Sequence, residues 1–221
     1  MRFRFLTFDC YGTLVDWREG IGESLKELRA RSGLTPGSFL SAYVDAEKRQ
    51  EETYQKYREV LRRAVEELSD ELGVEMEPGS AKAFALSVPG WPVFPDTRDF
   101  LRGMGKKGYR RYILSNVDTD ILEETIRKNR LEVEGYVTAE QTGSYKPDPG
   151  HWLRFLKMAG AKKDDVLHVA QSVYHDVVPA GRLGIASAWV NRYAEPMPRE
   201  AQPLFVTDSL ENLGKALEAS P

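Results

Sequence analysis

The stretch Phe5-Leu-Thr-Phe-Asp-Cys-Tyr-Gly-Thr-Leu14 constrains the fold more than any other part of the chain. An apolar run stops at an acid, Asp9. Gly12 then releases the chain, and a hydroxyl, Thr13, stands four residues after the acid. A short continuous apolar run bounded by a turn reads as a strand buried on both faces, the kind found in parallel sheets. Ligands of open α/β sheets bind beyond the carboxyl ends of strands, so Asp9 stands where chemistry is done. Taken alone, the same residues also read as a strand-ending Asp that only shapes a turn.

After Thr13 the character changes. Trp17 to Val88 is rich in Glu, Arg, Lys and Ala, and its apolar residues keep helical spacing: Ile21, Leu25, Leu28, then Val60, Leu61, Val65, Leu68, Leu72. This predicts three or four helices with no strand among them, punctuated by Gly33, Pro36 and Gly73. Charge runs such as Glu47 to Glu52 read as solvated helix faces. Pro89 to Asp96 holds three prolines and cannot be helix interior, so it reads as the return hinge. From there strands and helices alternate. Strands are predicted over Arg111–Ser115, Tyr136–Thr138, Val166–Ala170, Ile185–Val190 and Leu204–Val206. Helices are predicted over Asp99–Met104, Asp118–Lys128 (capped by Asp118), Pro149–Met158, Asp176–Leu183 and Leu210–Leu217, with a loop over Pro196–Pro203. The fold expected is α/β: a doubly wound, Rossmann-like parallel sheet core over 1–15 and 92–221, with an inserted helical cap over 16–91. The cap leaves the core directly after the Asp9 turn, so it is expected over the strand ends, where it excludes water.

Composition adds bounds. At 221 residues the chain can bury a core of useful size. A net charge of −3 gives no reason to expect nucleic acid, and a small anionic substrate needs a local positive site. One cysteine, Cys10, rules out an internal disulfide and suits a reducing cytoplasm, the compartment expected. No apolar stretch approaches the ~20 residues of a membrane span, so no membrane partner is expected. The first residues run straight into the first strand, so no signal peptide is expected. An exposed cap face would allow a homodimer.

Four places along the core offer polar groups. The first gives Asp9, Tyr11, Gly12 and Thr13; the second gives Ser115 and Asn116; the third gives Lys146 before Pro147; the fourth gives Gln171, Ser172, His175 and Asp176. Each alone is weak, because a Ser after a strand or a Lys before Pro is ordinary turn and surface chemistry. All four in order, at one sheet edge, are hard to explain as turns.

This set resembles the haloacid dehalogenase-like hydrolases. Asp9 with Gly12-Thr13, then Ser115-Asn116, Lys146-Pro147 and Asp176 match that family's four motifs in order, over essentially the whole chain. The resemblance implies Asp9 as a nucleophile that forms a covalent aspartyl intermediate, later hydrolysed by water. Lys146 is then expected to pair with Asp9, since a cation within ~4–6 Å favours the ionised acid. Ser115, Asn116 and Thr13 are expected to bind anionic oxygens or steady the acid. Asp176 is expected to orient Lys146 or help activate water; its bland alternative is a helix N-cap. Cys10 should face away from Asp9 and act as a small buried hydrophobe.

Tyr11 narrows the chemistry. Phosphatases of the family carry an acid there, and an alkoxide leaving group needs one, whereas halide leaves without a proton. The Asp-x-Tyr-Gly-Thr form is what the 2-haloacid dehalogenase branch carries. A small 2-haloacid, turned over with no cofactor, is therefore the expected substrate. One alternative is a Mg²⁺-dependent phosphatase, with Asp9 and Asp176 as the carboxylates for the metal. A second is a non-catalytic scaffold that binds a metabolite or partner. The chain departs from the branch in three ways. Ala46 falls where the branch has a cap arginine, leaving Arg49, one turn away, as the substitute. Gln171 and Val173 replace a Ser and an Asn. Trp152 replaces a Tyr. Tyr11, Asn116, Gln171, Ser172, His175 and Arg49 are the expected substrate contacts, with His175 also considered as a proton relay near neutral pH. Tyr43, Tyr54, Tyr57, Trp91 and Trp152 could line the pocket, though aromatics at such spacings more often pack.

Overall fold

The structure is a computed structural model that describes residues 3–219. Six parallel strands form one sheet: β1 (Phe5–Phe8), β2 (Arg110–Ser115), β3 (Gly135–Thr138), β4 (Val166–Ala170), β5 (Ala186–Val190) and β6 (Phe205–Thr207). Their order is β3-β2-β1-β4-β5-β6, so β1 is central and the order reverses beside it. That reversal is the crevice in which doubly wound sheets hold ligands. Every residue of β1 is buried, and its faces alternate as period-two geometry requires. Leu6 and Phe8 join a cluster with Ile113, Val169, Phe100 and Leu210. Phe5 joins the opposite one with Leu114, Trp152, Phe155 and Ala180. Cys10 packs in the Leu6 cluster, fully buried, with its thiol pushed well up by burial and the nearby Asp9 charge.

Between β1 and β2 lie five helices: α1 (Trp17–Ser24), α2 (Lys26–Ser32), α3 (Pro36–Glu51), α4 (Tyr57–Leu72) and α5 (Ser80–Ser87), then a 3₁₀ turn over Val88–Gly90. The sequence suggested three or four, because Ile21, Leu25 and Leu28 form one unbroken stripe. The chain breaks at Leu25 (φ −110°, ψ 22°) while the stripe stays buried on both sides of the break. Thr35 caps α3 through the Ser38 amide, Pro36 stands at its first turn, and Gly73 ends α4 in the left-handed region. The outgoing and returning connections run side by side. Val15 bridges Val93 antiparallel, and the Phe94 amide donates to Leu14 O at 3.1 Å.

Trp91 on the return packs flat on Gly20, where an added Cβ would lie 2.3 Å from the indole. Alanine ordinarily stabilises a helix by ~0.5–1 kcal/mol over glycine. Here the clash is with a ring that is itself buried, so Gly20→Ala should instead cost about 1–3 kcal/mol. Denaturant unfolding checks the sign.

The core helices are α6 (Thr97–Lys106), α7 (Thr119–Asn129), α8 (Ala139–Thr142), α9 (Gly150–Ala159), α10 (Val178–Arg182) and α11 (Leu210–Ala219). Two starts differ from expectation. Asp118 precedes α7 but gives its carboxylate elsewhere, to the first amides of α4. The helix expected from Asp176 begins earlier, as a π-type turn over Val173–Val177 capped by Ser172, because Asp176 turns inward to a buried cation. Such turns recur at functional sites. No helix among the described residues is long and apolar enough to cross a membrane.

Candidate active site

Asp9 ends β1, and its two carboxylate oxygens have separate partners. Oδ1 accepts from Lys146 Nζ at 2.8 Å, and Oδ2 accepts from the Thr13 hydroxyl at 2.8 Å. Thr13 Oγ1 in turn accepts the Gln171 amide at 2.9 Å, which ties the first motif to the fourth. Lys146 is 2% exposed and uses all three ammonium protons: Asp9, Asp176 Oδ1 at 2.7 Å, and Leu114 O at 2.9 Å. Asp176 Oδ1 also accepts from His168 Nε2 at 2.9 Å. A carboxylate can only accept, so Nε2 carries a hydrogen. The other ring nitrogen meets Thr7 Oγ1 at 2.9 Å, its register partner on β1.

One ammonium therefore serves two buried carboxylates, and they divide it unequally. Burial pushes Asp176 up, but Lys146 and His168 outweigh it and hold the acid well below the usual carboxylate range. Burial also pushes Asp9 up, and there it prevails over Lys146, with the Asp176 charge adding to the rise. For Lys146, burial pulls down and the two carboxylates more than offset it, so it stays charged. Of the two acids, Asp9 is thus raised and Asp176 lowered.

The remaining expected residues separate. Ser115 is buried at the end of β2, with its carbonyl facing His151 Nε2 at 3.1 Å. Asn116 spends its amide on Lys146: Oδ1 accepts the Lys146 amide at 2.7 Å, and Nδ2 donates to its carbonyl at 3.0 Å. It braces the loop rather than facing a substrate. Gln171 reaches Glu195 at 3.1 Å, and Glu195 also meets Arg18 on α1 at 3.4 Å. Ser172 accepts the His175 amide and meets its Nδ1, both at 3.1 Å. Burial pushes the His175 imidazolium down to about 4, which argues against the expected relay near neutral pH. Arg49, the expected substitute for the cap arginine, instead lies on the surface of α3, bound to Glu67 and Glu71 of α4. Trp152 and Tyr43 are fully buried packing residues, Trp91 is nearly so, and Tyr54 is exposed.

Tyr11 decides more. Its hydroxyl meets Thr125 Oγ1 at 2.8 Å, and Thr125 has already given its only proton to Ile121 O at 2.7 Å. Tyr11 must therefore be the donor, and burial pushes it well above its ordinary value. Its proton is not available to a leaving group.

Two buried histidines were not anticipated, and the Glu47–Glu52 run, expected as a solvated helix face, turns Glu47 and Glu51 inward. His168 lies inside an apolar strand. His151 is buried beside Ser115, with burial pushing it down to about 3. On α3, Glu47 Oε1 accepts from Tyr43 at 3.1 Å and Tyr57 at 2.7 Å, and Glu51 follows one turn later. Burial, with Glu47 nearby, pushes Glu51 up to about 8, and Lys146 lies close enough to oppose this.

These residues fit a Mg²⁺ ion poorly. The Oδ1 atoms of Asp9 and Asp176 both face one ammonium, Gln171 stands where a further acid would help, and only the buried Asp176 Oδ2 lacks a hydrogen bond. Among the described residues, no three His, Cys, Asp or Glu side chains gather to hold a metal.

A family model for haloacid dehalogenase-like hydrolases matches residues 3–184. The chain belongs to that family. It is similar to haloacetate dehalogenase H-2 of Moraxella sp. (strain B), 25% identical over 199 residues and 85% of each chain. It is also similar to phosphoglycolate phosphatase 1 of Pseudomonas aeruginosa, 26% identical over 221 residues, 95% of this chain and 78% of the other. Among solved structures, L-2-haloacid dehalogenase from Xanthobacter autotrophicus with chloropropionic acid covalently bound superposes with a TM-score of 0.87. That likeness is at 18% identity, covers 99% of this chain and all of the other, and concerns the fold. The chain is a hydrolase with the fold of these enzymes.

Proposed function

We propose that this hydrolase cleaves the carbon–halogen bond of a small 2-haloacid, with Asp9 as nucleophile and the helical block 16–91 as its cap. The observation that carries this reading is the engagement of Tyr11. No proton donor stands two residues after the nucleophile, so the leaving group has to depart without one. Halide does, and an alkoxide does not.

In the first step an Asp9 oxygen attacks the halogen-bearing carbon. The carbon–halogen electron pair leaves as halide, and an aspartyl ester forms. Lys146 and Thr13 hold the carboxylate in one orientation for attack. In the second step water adds to the Asp9 carbonyl carbon, the ester C–O bond breaks, and the 2-hydroxyacid departs. One water oxygen stays in Asp9; of the water's two protons, one ends on the departing oxygen as the hydroxyl of the 2-hydroxyacid and the other goes to solvent.

The test is mass spectrometry of the intact protein after many turnovers of 2-chloropropionate in H₂¹⁸O, first without metal and then with Mg²⁺. Label in Asp9 with chloride released is the expected result. No label and no chloride, with phosphate released from an ester only when Mg²⁺ is added, would replace the reading with the phosphatase that the Pseudomonas relative suggests.

A further inference from the structure

The cap meets the core on two sides of the nucleophile. On one side Arg18 reaches Glu195 at 3.4 Å, with both side chains more than a third exposed. On the other side the contacts are shorter: Arg58 pairs with Asp120, Lys56 with Glu140 at 3.3 Å, and Asp118 is the buried acid among them. Asp118 Oδ1 accepts the Tyr57 amide at 2.9 Å, and Oδ2 accepts the Arg58 amide at 3.0 Å and Arg58 Nε at 3.4 Å. These are the first amides of α4, whose own preceding residue, Lys56, supplies no side-chain acceptor. A helix start leaves such amides without partners and favours a nearby carboxylate.

Asp118 is not needed by the helix it precedes. The first amide of α7, that of Thr119, donates to Glu140 at 2.9 Å. The acid is instead placed at a junction of the site. Two residues before it, Asn116 clamps the Lys146 backbone. One residue before Lys146, the Tyr145 hydroxyl donates to Gln55 O at 2.6 Å, and the Tyr145 ring packs on Tyr57 at 6.3 Å between centroids. The contacts close a ring: Asp118, the start of α4, Gln55, Tyr145, Lys146, Asn116 and back to Asp118. Tyr57 carries it on to α3 by donating to Glu47.

We propose that Asp118 is a positioning residue for the reaction, the core-side anchor that seats the cap over Lys146 by capping α4 from outside the cap. The kinetic part rests on the reading that Asp9 and Lys146 carry out the displacement. The anchoring part does not. When the anchor is lost, the start of α4 lifts, the Lys146 loop loses its tether through Tyr145, and the pocket between cap and core loosens. Substrate affinity is then lost more than the chemical step.

The experiment uses the full chain with Asp118→Ala and Asp118→Asn. Hydrogen exchange over Gln55–Leu61 should be roughly tenfold faster or more in Asp118→Ala, as expected for a freed helix end, with β1, β2 and β4 unchanged. On 2-chloropropionate, Asp118→Ala should raise KM about tenfold and change kcat by no more than about threefold. Asp118→Asn, whose amide oxygen still accepts one amide, should recover part of both effects. Unchanged exchange over Gln55–Leu61 would overturn the anchor. Faster exchange with unaltered KM would overturn the positioning role. If Asp118→Ala does not fold, Asp118→Asn alone decides, with smaller shifts in the same directions. If the unaltered chain does not turn over 2-chloropropionate, the function reading has failed, the exchange result still judges the anchor, and KM is read on the phosphate ester it hydrolyses with Mg²⁺.

Discussion

Replacing Lys146 by methionine is expected to abolish most turnover and to cost about 3–5 kcal/mol of stability, the range for breaking a buried ion pair. Among the described residues, the Lys146 ammonium is the only lysine or arginine group bonded to Asp9 and Asp176, and it satisfies three acceptors at once. Methionine fills a similar volume but leaves two like charges buried together, along with the Leu114 carbonyl. At least one of the acids must then take a proton. Asp9 already lies above its ordinary value with the lysine in place, so it is the one to protonate, and a protonated acid is no nucleophile. Activity should fall roughly 10²–10³-fold or more, as when a group that organises reacting charge is removed.

The contribution of Asp176 to the pH dependence should reverse as well. With lysine present, Asp176 is held below its ordinary value, so it contributes stability above that value and loses it as the pH falls through the lowered one. Without lysine both acids are raised, and the variant becomes relatively more stable in acid. Urea unfolding at pH 5 and pH 8, with single-turnover rates, tests both claims. A variant as stable as the parent at pH 8, or one that keeps most of its rate, would show that Lys146 does not hold the pair together.

What the sequence showed and what it hid follow from where each signal lies. Asp9, Lys146 and Asp176 stand where an apolar run stops or a turn begins, so their chemistry is not masked by packing, and the fold brings all three within hydrogen-bond reach. His168 was masked because it lies inside the apolar run of β4 and reads as core. The alternation could have exposed it: Thr7 is two residues before Asp9 on the same face, and His168 is its register partner. Asp118 carried the local pattern of a helix cap. Whether such an acid caps its own helix or another is a tertiary fact, decided here by Glu140 serving Thr119. Arg49 failed for a comparable reason. A position one turn from Ala46 along α3 says nothing of its neighbour, and the neighbour is α4 with Glu67 and Glu71. The break at Leu25 left no trace, since the buried stripe continues through it.

Exchanging Glu51 for glutamine should stabilise the protein in base and leave it unchanged in acid. Burial is the main cause of the raised value, and the neighbouring Glu47 charge adds to it, while Lys146 and Lys48 oppose it. The native state thus holds this proton more tightly than the unfolded chain. Native stability is highest below the ordinary 4.5, falls as the pH rises toward about 8, and is level beyond that. The full interval would correspond to about 5 kcal/mol, which is a ceiling, because Glu47 shares the same protons and Glu51 is only half-buried. A gain of about 1–3 kcal/mol for Glu51→Gln at pH 9 is the expected result, with none at pH 4. Glutamine keeps the size and polarity of the protonated acid, so an equal gain at both pH values would assign the effect to packing and not to charge. The same substitution bears on substrate. If the acid faces the incoming haloacid over Lys146, the parent's kcat/KM should fall as the pH rises through about 8, because ionised Glu51 repels the substrate carboxylate. Glu51→Gln should remove that fall and keep the neutral-pH rate. A parent profile that stays flat through this range would place Glu51 away from the substrate's path, whatever its effect on stability.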